Sequence, residues 1–148
     1  MMERFAVQFR HLSDDEIEVK AVPYVDGLDE MYRLCNCDTI DIVNLQYHLP
    51  EYRDLLNVVD HDYEHVVLVV DDNGKMFSKP PTLPLFHEHR VYDIIMGDFI
   101  AIIGDDHGET YGFEAWSAEA MLTAFHLYTE TFRSPLRYRY CHDTLLNK

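Results

Sequence analysis

VVLVVDDNGK (Val66–Lys75) and DIIMGDFIAIIG (Asp93–Gly104) are two apolar runs, each stopped by turn-forming residues. Val66 to Val70 ends at Asp71-Asp72-Asn73-Gly74-Lys75, and Phe99 to Ile103 ends at Gly104-Asp105-Asp106. Neither run alternates apolar with polar residues, so both read as strands too apolar for a solvated face, which fixes the centre of a small globular domain. Between them, Pro80-Pro81-Thr82-Leu83-Pro84 reads as a proline-containing loop, and Thr82 to Arg90 has no decisive period. Asn73-Gly74 and Gly97 are expected to supply positive φ.

Further from this centre, Phe5 to Arg10 and Glu18 to Val25 read as strands joined by the polar turn Ser13-Asp14-Asp15-Glu16. Asp26 can cap a short helix with the apolar face Leu28, Met31 and Tyr32, ending near Cys35. Thr39 to Leu45 reads as a strand with Ile40 and Ile42 inward and Asp41 outward, and Glu51 to Leu56 as a helical turn after Pro50. Asp105-Asp106-His107-Gly108 closes a hairpin onto Thr110 to Phe113. Ser117 is the expected N-cap of a helix over 118–132, whose Ala118, Met121, Leu122, Phe125, Tyr128 and Phe132 form one apolar stripe. The economical architecture is a single α+β domain, residues 1–148, with a mixed or antiparallel sheet and helices on one face. A basic, tyrosine-bearing tail, 133–148, follows Pro135.

The 148 residues, 47% hydrophobic and 13% aromatic, suffice for one well-filled core. No apolar stretch has the length of a signal peptide or a membrane span, so a soluble cytoplasmic protein without membrane association is expected. Cys35, Cys37 and Cys141 are an odd number, and reduced thiols are the simplest reading. The formal charge is −15. Residues 1–132 hold 26 acids against 8 bases, a net of −18, while Arg133, Arg137, Arg139 and Lys148 against Asp143 make the tail basic. Such a body disfavours direct contact with nucleic acid and suits a basic protein partner.

Several groups are candidates for chemistry. His61 with His65, and His87 with His89, have spacings that can share a metal ion, and they motivate a metal-dependent enzyme as one alternative. No further ligands complete such a site, so no metal, cofactor or catalytic set is assigned. Asp71-Asp72 and Asp105-Asp106 sit in turns expected to face water, where carboxylates make poor general acids. No phosphate-binding glycine pattern is present. Arg137-Tyr138-Arg139-Tyr140 could stack on a base or hold a phosphate. Lying back over the acidic body, with its arginines on carboxylates, is the stronger expectation for it.

In order along the chain, CDTIDIVNL (Cys37–Leu45), VLVVDDNGK (Val67–Lys75) and DIIMGDFIAIIG (Asp93–Gly104) resemble a family of small uncharacterised domains. These domains occur mostly in phages and in integrated or conjugative elements of low-GC bacteria. The resemblance spans roughly residues 20 to 115. It departs at Cys35-Asn36-Cys37, where the family has a glycine pair, and at Leu83 to Phe86. It implies a fold and a mobile-element setting but no activity. Joined to the acidic body, it leads to the expectation of a non-catalytic accessory protein that occupies a basic site on a host protein, as nucleic-acid mimics do. Its contact residues are expected among Asp14, Asp15, Glu16, Asp60, Asp62, Glu64, Asp105 and Asp106. The alternative is a binder of a small ligand such as a nucleotide, using Pro80, Phe86, Arg137, Tyr138 and Arg139.

Overall fold

The computed structural model describes residues 3–13, 15–45, 63–87, 90–131 and 135–142. The helical turn expected at 51–56 lies outside them. In chain order the elements are β1 (Phe5–Ser13), β2 (Glu16–Pro23), α1 (Leu28–Cys35), β3 (Ile40–Asn44), β4 (Glu64–Asp71), β5 (Pro81–His87), β6 (Arg90–Met96), β7 (Phe99–Asp105), β8 (Thr110–Tyr111), α2 (Ala115–Thr131) and β9 (Arg137–Cys141). The main sheet has the order β3-β4-β7-β1-β2-β9, with β8 added to β7, and β5 and β6 form a separate hairpin. Every pairing is antiparallel except β2 with β9, which makes the sheet mixed, as expected of the α+β class.

The two apolar runs lie side by side, with Val69 opposite Ile100 and Val66 opposite Ile103. Their side chains alternate between two cores. Val66, Leu68, Phe99, Ala101 and Ile103 join Val7, Phe9, Ile17 and Val19 on one face, under Met121, Leu122 and Phe125 of α2 and Leu83 and Leu85 of the hairpin. Val67, Val69, Ile100, Ile102 and Ala6 point to the other face, where Met31, Leu34 and Cys35 of α1 cover them. The helices therefore lie on opposite faces of the sheet, which corrects the one-face expectation. Central strands without a polar face require it, and burying Met31 and Leu34 stabilises that cover by about 1.5 to 3 kcal/mol each.

In the larger core Phe9 stacks on Phe99 at 4.4 Å and meets Phe125 edge-on at 4.8 Å. Helix α2 begins earlier than expected. The amide of Ala118 already donates to the Glu114 carbonyl, so Ser117 is a buried residue of the first turn and not its cap. Gly27, with no side-chain hydrogen bond, holds the N-cap of α1 that was expected of Asp26. Strand β3 is an edge strand, so Ile42 is 43% exposed where an inward position was expected.

The expected proline loop is a strand. Pro84 of β5 stands opposite Ile94, whose amide turns away from β5 to the Asp93 carboxylate at 2.8 Å, so the amide that proline lacks is not needed. Thr82 is fully buried, with Oγ1 2.7 Å from the Gly97 carbonyl, and the Tyr128 hydroxyl donates to the Pro84 carbonyl at 2.8 Å. The C-terminal tail also forms a strand. Arg137 donates its amide to the Asp15 carbonyl at 2.7 Å and its guanidinium to the Asp15 carboxylate at 2.9 Å. Residues 135–142 of the tail thus lie back on the acidic body.

Candidate functional site

The β5–β6 hairpin stands over the edge of the main sheet and leaves a cleft of about 180 Å³ between β6 and strands β3 and β4. Val43, Val70, Leu85 and Ile95 give it apolar walls, and Asp41, Asp71, Asp72 and Asp93 surround them, with Lys75 beside them. Each acid has a different origin in the fold. Asp41 projects from edge strand β3, Asp71 ends β4, Asp72 begins the turn, and Asp93 lies on β6. That turn is pressed against the end of β6, since a Cβ on Gly74 would lie 2.5 Å from the Met96 carbonyl oxygen. Close approach is thus why glycine stands there. Gly97 is the position with positive φ, at 89°.

The four carboxylates differ in their surroundings. Asp71 is buried, with a side chain only 3% exposed, contrary to the solvent-facing turn expected for it. Its Oδ2 lies 2.5 Å from Lys79 Nζ and its Oδ1 accepts the Asn73 amide at 2.9 Å. Asp93 is paired with Lys75 in an exposed ion pair. Asp41 accepts the amide of Ile42 at 2.9 Å, which occupies one outward N–H of the sheet edge. Among the described residues neither Asp41 nor Asp72 has a cationic partner. The same turn exposes Met76 and Phe77, at 76% and 64%. Apolar walls beneath carboxylates fit the side chain of lysine or arginine, whose methylene stem is apolar and whose tip is cationic.

The acids singled out from the sequence fall elsewhere. Asp14, Asp60 and Asp62 lie outside the described residues. Asp15 is engaged by Arg137, and Glu16 sits at the β1–β2 turn. Glu64 and Asp105 stand opposite each other at the far end of β4 and β7, next to exposed Asp106. Phe9 of β1 stands opposite Phe99, the first residue of β7, and β1 runs on past it to Ser13, so these acids form two groups at opposite ends of the sheet. Burial and the hydrogen bond to Glu64 push the Tyr111 hydroxyl up, and Asp105 Oδ1 accepts the amides of His107 and Glu109 at 2.9 and 3.0 Å.

The residues named for a small ligand are not gathered either. Arg137, Tyr138 and Arg139 line an open groove with Glu16, and the Tyr138 hydroxyl donates to the Thr82 carbonyl at 2.9 Å. The Pro80 carbonyl accepts the Gly97 amide, and Phe86 is buried against Tyr128. Of the metal candidates, His61, His89 and the His87 side chain lie outside the described residues. His65 is packed close to Gly104. Among the described residues no three His, Cys, Asp or Glu side chains could hold one ion. Cys35 donates to the Val69 carbonyl at 3.2 Å, and burial pushes its thiol up. Burial also pushes Cys37 and Tyr140 up, and carries Tyr24 to about 12.

The cleft was not legible in the sequence because its acids come from three separate stretches, at Asp41, Asp71-Asp72 and Asp93. A signal was present in two of them. Asp41-Ile42 and Asp93-Ile94 place an acid inside a β-branched run, which marks a strand with one open edge. No family model, no curated protein and no solved structure matches this chain. No helix among the described residues is long and apolar enough to cross a membrane.

Proposed function

We propose that the protein acts without catalysis, by holding a basic segment of a protein partner in the cleft between β3, β4 and β6. The observation that carries this reading is the apolar slot bordered by Asp41, Asp71, Asp72 and Asp93, of which two lack a cation among the described residues. Exposed Met76 and Phe77 beside it supply the apolar contact that charge alone does not. The net charge of −15 draws basic partners from a distance and repels nucleic acid. The described thiols and tyrosines with shifted pKa values all move upward, away from the ionised form that a nucleophile needs. In the mobile-element setting that the family resemblance implies, the partner is a host protein.

The test pairs a pull-down from host lysate with a defined probe, a ten-residue lysine- and arginine-rich peptide titrated by NMR. Amide shifts at Asp41, Asp72 and Asp93, lost at high salt and in an Asp41→Lys/Asp72→Lys variant that melts like the parent, are the expected result. Shifts scattered over all acidic surfaces, or unaltered in that variant, would remove the cleft from the argument. A nucleotide reading at the tail has one observation behind it, the open groove with Arg137 and Arg139. Thermal shift with nucleotides tests it, and no stabilisation is expected because Arg137 is already held by Asp15.

A further inference from the structure

At the edge of the main sheet opposite β3, His126 of α2 faces His142 at the end of β9, with Nδ1 of His126 3.2 Å from Nε2 of His142. Their ring centroids are 5.4 Å apart with planes inclined by 24°. The two nitrogens therefore lie near the line joining the rings, aligned as donor and acceptor of one hydrogen bond. Nε2 of His126 is 3.1 Å from the Glu130 carboxylate, and the ring stacks on Tyr140 at 4.4 Å and 9°. Tyr140 is tied to the same helix, donating to the Phe125 carbonyl at 2.9 Å and sharing a hydrogen bond with Thr129 Oγ1 at 2.8 Å.

Proton count decides whether this contact survives. With Nε2–H of His126 directed at Glu130, Nδ1 is an acceptor in the neutral ring and a donor in the cation. When the two rings share no extra proton, or one, a donor and a lone pair remain for the N···N bond. When both rings are cations, two N–H groups and two positive charges face each other and the bond is lost. We propose that His126 and His142 form a proton-operated latch that fastens the C-terminal strand β9 to α2 and opens when both imidazoles are protonated.

The surroundings define what the second proton meets. Glu130 faces the pair from α2, and Tyr140, bonded to the Thr129 hydroxyl, stacks on it from β9, with Tyr138 next along the same face. Glu18 and Lys20 of β2 lie opposite Arg139 and Cys141, at the alternate positions of β9 that point to the other face. Glu130 is the carboxylate beside His126, and no second carboxylate among these groups stands beside His142. Opening the latch leaves β9 held by its parallel ladder with β2, by the Arg137–Asp15 pair and by the hydroxyls of Tyr138 and Tyr140. Fraying of β9 then starts at the His142 end, the end away from the Arg137–Asp15 pair.

Hydrogen exchange of the whole protein at about pH 7.5 and 5.5, either side of the ordinary imidazole value, tests this. After correction for intrinsic rates, protection over 137–141 is expected to fall roughly tenfold relative to β1 and β7 in the acid sample. His142→Gln, whose amide bonds without charging, is expected to abolish that fall. Protection of β9 that tracks the rest of the sheet, or the same fall in the variant, would overturn the latch. Should His142→Gln loosen the strand at both pH values, the imidazole ¹⁵N titration of the parent protein decides. Two separated steps support the shared proton, and one unsplit transition refutes it.

Discussion

Asp71-Asp72-Asn73-Gly74 and Asp105-Asp106-His107-Gly108 follow the two central strands, and their sequences are close to interchangeable. The fold uses them differently. At the end of β4 the first aspartate is buried and paired with Lys79, and the glycine is pressed against the Met96 carbonyl. At the end of β7 the first aspartate ties the turn by accepting two amides, and Gly108, at φ 81°, has nothing within 4 Å of where a Cβ would stand. A polar turn motif specifies that the chain reverses. Whether its charges meet water or another segment depends on what packs over it, here the β5–β6 hairpin.

The largest expected difference concerns the charge at each turn. Lys79→Met leaves the buried Asp71 carboxylate without its cation and is expected to cost about 3 kcal/mol in urea unfolding at pH 7. Asp105→Ala, which removes only turn hydrogen bonds, should cost about 1 kcal/mol. Equal costs would erase the distinction between the two ends.

The glycines sharpen the same contrast at a smaller scale. Gly74→Ala is expected to cost about 2 kcal/mol because the Met96 backbone has to move. Its amide shifts should concentrate at Met96 and Gly97. Gly108→Ala should cost about 1 kcal/mol from positive φ alone, with shifts confined to its own turn.

The smallest effect is at Asp98, which precedes β7 at the end of the sheet that holds Asp71. Burial pushes this carboxyl up, and the His11 amide, donating at 2.9 Å, opposes it only in part. A raised folded-state value means that the protein is relatively most stable with Asp98 protonated and loses that contribution as pH rises through it. Asp98→Asn is therefore expected to raise the melting temperature slightly at pH 7 and to leave it unchanged near pH 3. A gain at both pH values would point to packing and not to charge.

The elements legible in the sequence are those whose signal is local. Val66 to Val70 and Phe99 to Ile103 announce buried strands, and Ala118 to Tyr128 announces a helix, because a continuous or 3.6-residue apolar pattern admits few other arrangements. Pro81 and Pro84 concealed β5, since proline argues against a strand unless the opposing amide is known to point away. Ser117 looked like a cap because its hydroxyl suits one, yet the chain ahead of it was free to begin the helix at Ala115. Strand β9 was hidden for a different reason. Its partner Glu16–Lys20 lies some 120 residues earlier, and parallel pairing over that separation leaves no periodic trace.

What residue order alone established is an α+β domain with two central strands too apolar for a solvated face, in an acidic chain, because burial patterns and net charge are sums over neighbours in sequence. The placement of helices on opposite faces, the cleft walled by β3, β4 and β6, and the meeting of His126 with His142 arose only in three dimensions. Each depends on which distant segments share an edge or a face of the sheet, and that choice belongs to packing of the whole chain and not to any one stretch of it.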